Sequence, residues 1–461
     1  VTLSVSNSKF LGNTGTQYGG AIWNESGFIL MNVSYSTFSQ NSATTSSAGA
    51  IQFDGSNGTA NGNITSCTFN GNTANHFGGA VNVDGFSGSA ALTISDCTFD
   101  QNTANFGGGV AMDGSSGSAV VTVTNCTFNH DFSNTRGDAI YLSQNGAGTT
   151  SLLIGNTILL SADPDFNISI DNTSGGTASV TSQGHNLSDD AAGGDATTGP
   201  GGFLNHSGDL RNTDPLIDPA GLQNNGGPTL TIALQPTSPA VNHGDDAIAP
   251  ERDQRGYLRT NTSDSGAFEL GALLAPIAAG SNKAQGAGSF AVNFPLTGPI
   301  GIECRTGGPN GAHQLAMSFA TPVTLTGVSI PSGTGTVSGF TVAGSQVTVN
   351  LTGVSNAQRL TVRLANVNDG AHTNNIDIPM GLLAGDTTGN GTVNSSDVAQ
   401  TQSQSGQVLN ANNFREDVTL NGAINSSDVG FVQAHSGTGL PAAQDGQNPV
   451  RKFREREIFS D

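Results

Sequence analysis

The chain has 461 residues, of which 64 are glycine and only 11% are charged, and its formal net charge is −20. Glycine weakens helices and abundant Ser, Thr and Asn compete for backbone hydrogen bonds, so this composition predicts an all-β protein of short strands and tight turns. The negative charge repels phosphates, which argues against nucleic acid and anionic lipid as partners, whereas it would attract divalent cations. No run of about 18 apolar residues is present, so we predict no membrane span.

A phenylalanine-containing phrase repeats along the first third of the chain. Its phenylalanines lie 28 to 31 residues apart, and an Asn or Asp stands three residues after each of them. A second phrase, Gly-Gly-Ala-Ile or a close variant, follows in each copy. Stacked repeats can bury the apolar residues that one repeat alone would expose, with strands about 4.8 Å apart. The period therefore predicts a parallel β-helix over residues 1–160. Its ladder residues are Phe10, Phe38, Phe69, Phe99 and Phe128, followed by Asn13, Asn41, Asn72, Asn102 and Asp131.

Three cysteines, Cys67, Cys97 and Cys126, stand just before the Thr-Phe pair in successive repeats, and we interpret them as a stack of buried thiols. The recurrence of Cys-Thr-Phe-x-x-Asn with Gly-Gly-Ala-Ile resembles the polymorphic outer-membrane-protein repeats and related right-handed β-helix repeats. The resemblance covers residues 1–160 and implies a right-handed parallel β-helix. It is specific for the fold and says little about function.

Three Asp-Gly pairs, beginning at Asp54, Asp84 and Asp113, also recur once per repeat, with Asn24 or Glu25 near the same position in the first copy. The simpler interpretation is that they are turns at the coil corners. The alternative is a row of carboxylates that binds calcium or cleaves a glycosidic bond as acid and base. These three aspartates are the weak catalytic candidates of the chain.

Residues 161–270 contain an ordered set of phrases, among them Asp209-Leu210-Arg211-Asn212, Asn225-Gly226-Gly227-Pro228 and Asp253-Gln254-Arg255-Gly256. The set resembles the choice-of-anchor Q domain found at the end of bacterial surface β-helices, which implies that the helix ends here in an exported protein. We predict that Asp253 and Arg255 form a structural ion pair rather than a catalytic one, and we assign Glu269 the same buried polar role.

Residues 271–383 begin with a linker and continue with apolar–polar alternation in several short runs, such as Val347–Leu351 and Leu360–Leu364. Runs of this length between Gly-rich turns predict a small β-sandwich. A spacer role and a carbohydrate-binding role both remain open for this segment, which carries no aromatic platform.

Residues 384–441 contain two twelve-residue loops, 31 residues apart, with oxygen-bearing residues at the positions of an EF-hand calcium loop and Gly at the sixth position. Each precedes helix-compatible sequence, and we expect Ser395 or Ser396 to cap the first helix. The tandem resembles a type I dockerin, which implies calcium binding and a cohesin-like partner. A calcium-free turn-helix repeat is the alternative. The predicted calcium ligands are Asp386, Thr388, Asn390, Thr392, Asn394 and Asp397 in the first loop and Asp417, Thr419, Asn421, Ala423, Asn425 and Asp428 in the second.

These elements predict an exported bacterial protein, extracellular or on the cell surface, with a structural or adhesive role. Its solenoid would contact polysaccharide, another cell-surface component or neighbouring copies of itself, and Ca²⁺ would order the C-terminal module. The alternative is a carbohydrate-active enzyme, a glycoside hydrolase or polysaccharide lyase, with the dockerin-like part as its attachment. Residues 442–461 form a tail with four basic residues, to which we assign no role.

Overall fold

The structure is a computed structural model that describes residues 1–24, 28–144, 146–161, 167–171, 175–260 and 262–442. The chain divides into two compact units, Val1–Leu273 and Leu274–Asp461. Except for Ala442, the predicted tail at 442–461 lies outside the described residues.

The first unit is a β-solenoid with three parallel sheets, each of which receives one short strand from successive repeats. The first sheet contains Thr2–Ser6, Phe28–Ser34, Thr59–Thr65, Ser89–Ser95, Ser118–Thr124, Thr149–Gly155 and Thr177–Gly184. The second contains Lys9–Leu11, Thr37–Ser39, Thr68–Asn70, Thr98–Asp100, Thr127–Arg136, Ile158–Ser161 and Leu187–Ser188, with a branch of Thr14–Gly15, Ser42–Ala43, Thr73–Ala74 and Thr103–Phe106. The third contains Ile22–Asn24, Ile51–Asp54, Val81–Asp84, Val110–Asp113, Ile140–Ser143 and Ile168–Asp171.

The predicted ladders are confirmed. Phe69 pairs with Phe38 and Phe99 in register, and the ring centroids lie 4.9 and 4.8 Å apart. The amide of Asn72 donates to Asn102 Oδ1 at 2.8 Å, and Asn102 donates in turn to Asp131 Oδ1 at 2.8 Å. Burial raises the pKa of Asp131 well above its ordinary value, and Oδ1 can accept from Asn102 in either protonation state. Asp131 therefore suits the end of a ladder in which every amide donates to the next coil.

The Gly-Gly phrase marks a place where neighbouring coils approach too closely for a side chain. A Cβ built on Gly79 would collide with the carbonyl oxygen of Gly108 and lie 2.6 Å from the backbone nitrogen of Thr103. Cys67, Cys97 and Cys126 are buried and free, as the stack of thiols predicted. Burial, together with the two neighbouring thiols, raises the pKa of Cys97 well above its ordinary value.

The rest of this unit, up to Leu273, is irregular chain that packs against the solenoid. Gln254 accepts a hydrogen bond from Thr98 Oγ1 at 2.6 Å, and Arg259 forms an ion pair with Asp96 at 2.8 Å. Asp253 and Arg255 form the predicted ion pair, which is buried and has an N–O distance of 2.6 Å. The Thr98–Gln254 and Asp96–Arg259 contacts join residues more than 150 positions apart in sequence.

The second unit begins with two further sheets. One contains the antiparallel strands Gly288–Asn293, Ala278–Gln285, His313–Ser318, Gln346–Thr352 and Thr336–Ala343 in that order. The other contains Ile302–Glu303, Thr373–Leu382, Gln358–Asn368 and Gly327–Ser332, and its first pair is parallel. Alternate residues such as Val347, Val349 and Leu351 are buried, as the sequence alternation predicted.

Two α-helices follow in the described part of the chain, Ser395–Gln404 (α1) and Ser426–Ala434 (α2), and short 3₁₀ turns occupy Gly308–Asn310 and Phe414–Glu416. Val393, Val418 and Val432 form one buried cluster with Ile302 and Leu383. Neither of these helices, nor any other in the described residues, is long and apolar enough to span a membrane.

Candidate functional sites

The outer face of the third sheet carries two rows of side chains because its strands alternate between core and outer face. Val81 and Val83 lie in the core, so Asn82 and Asp84 of the same strand point outward. The strands pair in register, and each outward position is therefore repeated from coil to coil. One row contains Trp23, Gln52, Asn82, Ala111 and Tyr141, and the other, which we call the acid row, contains Asp54, Asp84 and Asp113.

The acid row places its three carboxylates one coil apart, about 4.8 Å by the spacing of paired strands. Each accepts a hydrogen bond from the backbone two residues later: Asp54 from Ser56 at 2.7 Å, Asp84 from Phe86 at 2.9 Å and Asp113 from Ser115 at 2.9 Å. These bonds agree with the interpretation of the Asp-Gly pairs as turns. Asn24 pairs with Phe53 and is not part of the row, and Glu25 lies outside the described residues.

Asp84, the middle member of the acid row, is the electrostatically distinct one. Burial, together with repulsion from Asp54 and Asp113, raises its pKa to about 6 against the lowering effect of the Phe86 N–H bond. A carboxyl group with this pKa exchanges its proton near neutral pH. The acid row therefore combines a turn-forming role with one carboxyl group, that of Asp84, whose pKa lies close to neutral pH.

An aromatic cluster, missed by the sequence analysis, lies near the acid row, where the second-sheet strand Thr103–Phe106 meets Tyr141 of the third sheet. The ring of Tyr141 lies 5.0 Å from that of Phe106 and 6.0 Å from that of Phe77, and His76 lies 3.9 Å from Phe77. Phe77 and Phe106 are partly exposed and His76 is exposed. The available signal was an aromatic residue directly before Gly-Gly, as in Phe77-Gly78-Gly79 and Phe106-Gly107-Gly108.

Amide groups extend the polar character of this face. Asn82 donates to Gln52 Oε1 at 3.1 Å, and the buried Oδ1 of Asn82 has no hydrogen-bond partner in the described structure. Ring faces beside amides and carboxylates are the groups that pack against sugar C–H faces and bond to sugar hydroxyls. Gln52 and Asn82 are themselves buried, so the groups of this face that a hydroxyl-rich ligand could reach are the partly exposed rings and the carboxylates of the acid row.

The two C-terminal loops have nearly the same internal geometry. In the first, Asp386 accepts from the Gly391 backbone N–H at 2.8 Å, and Asp397 accepts from the Thr388 hydroxyl at 2.8 Å. In the second, the matching bonds are Gly422 to Asp417 at 3.0 Å and Thr419 to Asp428 at 2.8 Å. Positive φ at Gly391 and Gly422, 87° and 85°, is the left-handed conformation that the sixth position requires.

The second aspartate of each loop, Asp397 or Asp428, also takes part in the cap of the helix that follows. Asn394 accepts from the Ser396 backbone N–H, and Asp397 accepts from that of Asn394, which together form a capping box at the start of α1. Asn425 and Asp428 do the same for α2. The expectation that Ser395 or Ser396 caps α1 was therefore wrong, because the ninth loop position is also the cap.

The loop chemistry fits a hard cation. All four aspartates that begin or end the loops are buried, and each loop brings two carboxylates together with hydroxyl, amide and carbonyl oxygens. Burial raises the pKa of Asp386 and of Asp417, and the second carboxylate of each loop raises it further. A divalent cation would offset this repulsion. The described residues hold no group of three or more His, Cys, Asp or Glu side chains placed to bind a metal, so carbonyl, amide and hydroxyl oxygens would have to complete the shell.

Residues outside the loops support them and were not predicted. Gln285 donates to the carboxylate of Asp417 at 3.2 Å and accepts from Arg305 at 2.8 Å, and Arg305 is itself paired with Glu303 in a buried ion pair. Arg415 donates to the backbone carbonyl of Asp386 at 3.0 Å. These contacts cross between segments far apart in sequence, so no local pattern indicated them.

Comparison with known proteins gives one match. Residues 66–84 match the model of the Chlamydia polymorphic membrane protein repeat. The matched segment begins just before Cys67 and ends at Asp84. It includes one phenylalanine of the ladder, the Gly-Gly motif and the aromatic cluster residues His76 and Phe77. Asp84 itself is the middle carboxylate of the acid row. No curated protein and no solved structure gave a significant match.

Proposed function

We propose that the chain is part of an exported bacterial cell-surface protein whose right-handed solenoid binds polysaccharide. The observation that carries this is the outer face of the third sheet, where Tyr141 and the partly exposed rings that contact it lie near the carboxylates of the acid row. The match to a membrane-protein repeat supports a surface location. The described residues of the two outward rows of the third sheet include no Lys or Arg. This favours a neutral glycan over an anionic one.

Binding to a panel of neutral and acidic polysaccharides, measured by affinity electrophoresis and calorimetry, tests the proposal. Phe106→Ala should weaken binding about tenfold, since it removes one ring of the cluster. Phe132→Ala is the matched control, because Phe132 is also exposed but makes no ring contact with the aromatic cluster in the described structure. Equal losses in the two variants, or no binding by the unaltered chain, would reject this face as the glycan site.

A second candidate is a carbohydrate-active enzyme, and the raised pKa of Asp84 between two carboxylates is the observation that favours it. Asp84 would act as the general acid and a neighbouring aspartate as base or nucleophile. Release of reducing ends that Asp84→Asn abolishes without loss of glycan binding would support catalysis. Binding without turnover on every substrate would leave the adhesive function alone.

For the second unit we infer a β-sandwich followed by a dockerin-like module that binds one Ca²⁺ in each loop. The predicted ligands are those of the two loops, with the Thr392 and Ala423 positions contributing their backbone carbonyls. A cohesin-like protein or a second copy of the chain is the partner that this resemblance suggests. Pull-down with and without Ca²⁺ using the full chain distinguishes the two: a calcium-dependent complex of the chain with itself supports self-association.

A further inference from the structure

A groove of about 660 Å³ lies in the first unit, away from the third sheet. One wall is formed by the second-sheet residues Asn129 and Leu160 and by His130, and the other by residues 214–221. Its volume lies within the rough range of 300–1,000 Å³ for sites that bind small organic molecules. Neither the predicted glycan face nor the calcium loops use these residues.

Asn129 gives the first indication that the groove binds a ligand. Its side chain is only 4% exposed, and its Nδ2 donates to Asp100 at 2.7 Å. This bond fixes the orientation of the amide, because turning it over would direct Oδ1 at a carboxylate. Oδ1 then has no hydrogen-bond partner in the described structure. A buried acceptor without a partner costs about 1–3 kcal/mol, so a donor from a ligand would be stabilising here.

Beside the amides of Gln101 and Gln235, the groove carries three carboxylates, which are acceptors. Asp214 and Asp218 each use one oxygen to accept from the backbone, at 2.9 Å in both cases, and no hydrogen bond within the described chain reaches the second oxygen. Asp189 is a third carboxylate. The Nδ1 of His130 lies 3.2 Å from the Ser161 carbonyl and donates to it, because a carbonyl oxygen can only accept.

The charge of the groove is negative throughout. No Lys or Arg is among the residues that line it, and no ion pair in the described chain involves Asp189, Asp214 or Asp218. Burial raises the pKa of Asp189, because its charge is poorly solvated. A cation would stabilise all three carboxylates, and the net charge of −20 adds to the attraction.

The remaining lining is aliphatic. Leu160, Leu216, Ile217 and Pro219 contribute apolar surface between the carboxylates, and no Phe, Tyr or Trp is among the residues that line the groove. A bare metal ion would gain nothing from this surface, and the described residues hold no cluster of three acidic or His side chains placed for one. A ligand that alternates methylene groups with protonated amines would match both kinds of surface.

We propose that this groove binds an aliphatic polyamine, whose ammonium groups pair with Asp189, Asp214 and Asp218 and donate to Asn129 Oδ1, while its methylene groups pack on the leucine and isoleucine side chains. The inference is independent of the proposed glycan binding, because the two sites share no residue.

Calorimetry of the full chain with spermidine at low salt tests the proposal, and the expected result is saturable one-site binding that weakens as salt rises. The double variant Asp214→Asn with Asp218→Asn should raise the Kd at least about tenfold, since it removes two charges. Both asparagines can still accept the backbone bonds of their turns, so the fold should be retained. Asn129→Leu should also weaken binding, because it removes the buried acceptor.

The matched control is Asp54→Asn with Asp113→Asn, which changes the net charge equally but on the third sheet. A Kd within about twofold of the unaltered chain is expected for it, since those charges lie outside the groove. Three results would overturn the proposal: no binding of spermidine, equal weakening by the control pair, or binding of a linear diol of similar length as tightly as spermidine.

Discussion

In the solenoid unit, residues about 30 positions apart become neighbours. Phe69 stacks on Phe38 and Phe99, and the amide of Asn72 bonds to that of Asn102. In the second unit, Asp386 and Asp417 are 31 positions apart, and each instead bonds within its own loop, to Gly391 and Gly422. Nearly the same sequence period thus produces a continuous ladder in one unit and two separate, similar sites in the other.

The difference lies in where the hydrogen bonds of each repeat go. A solenoid coil leaves its strand edges unpaired until the next coil supplies partners, so stability couples neighbours. A loop followed by a capped helix satisfies its backbone internally, through bonds such as those of Asn394 and Asp397. A substitution should therefore affect adjacent repeats in the solenoid and a single repeat in the loops.

The largest effect is expected from Phe69→Ala. The ring is fully buried between two stacked neighbours, and its loss leaves a cavity that the ladder cannot close, so unfolding free energy should fall by about 3–5 kcal/mol. Hydrogen–deuterium exchange resolved along the chain should show faster exchange in the flanking coils around Phe38 and Phe99. Protection lost only at residue 69 and its own strand would contradict the coupling.

Calcium should act on the second unit alone. At a concentration 100 times its Kd, Ca²⁺ would stabilise one loop by about 2.7 kcal/mol, because it binds the folded loop and not the unfolded chain. Exchange protection should rise at residues 384–441 and fall again with EDTA. Mg²⁺ at equal concentration is the control, and no change with either ion would reject the calcium loops.

Single substitutions should separate the two loops. Asp386→Asn should reduce the calorimetric stoichiometry from two ions to one and leave the affinity of the second loop within about threefold, because each loop holds its own carboxylates. Asp417→Asn should give the converse result. Loss of both sites from either substitution would mean that the loops are coupled in the way the solenoid coils are.

Sequence reasoning succeeded where contacts repeat. The Phe and Asn ladders, the free cysteines and the parallel β-solenoid followed from one period, because a stacked coil makes equal positions adjacent. The turn bonds of the acid row agree with the corner interpretation. Their catalytic role and the calcium ligands remain predictions, since hydrogen bonding within a turn or loop does not reveal what a ligand would contact.

Sequence reasoning did not predict contacts between residues that belong to different sequence motifs. Phe106 and Tyr141 belong to unlike positions of neighbouring repeats, so comparing equal positions did not bring them together. Gln285 reaches Asp417 across 132 positions, and Asp218 lines the same groove as Asn129 with no shared period. The cap at Asn394 was missed for another reason, since one residue fills both a loop position and a helix position.

The smallest expected effect is that of Asp84→Asn, which tests whether the acid row is coupled through charge. In the folded state the pKa of Asp84 is raised to about 6, above its ordinary value of 3.8. Between these two pH values, the folded state holds a proton that the unfolded state has lost. Stability therefore falls as pH rises from about 4 to about 6 and stays lower above that.

Asparagine removes the charge and can still accept the Phe86 N–H bond. The variant should therefore be about 1 kcal/mol more stable than the unaltered chain at pH 8, after allowance for partial solvent exposure. At pH 4 the two proteins should be equally stable. Denaturant unfolding at the two pH values measures this. Asp54→Asn is the control, and it should gain less, because it removes repulsion with one ladder neighbour in the acid row instead of two. Equal gains at both positions would mean that the carboxylates do not interact, and the acid row would then be a set of independent turns.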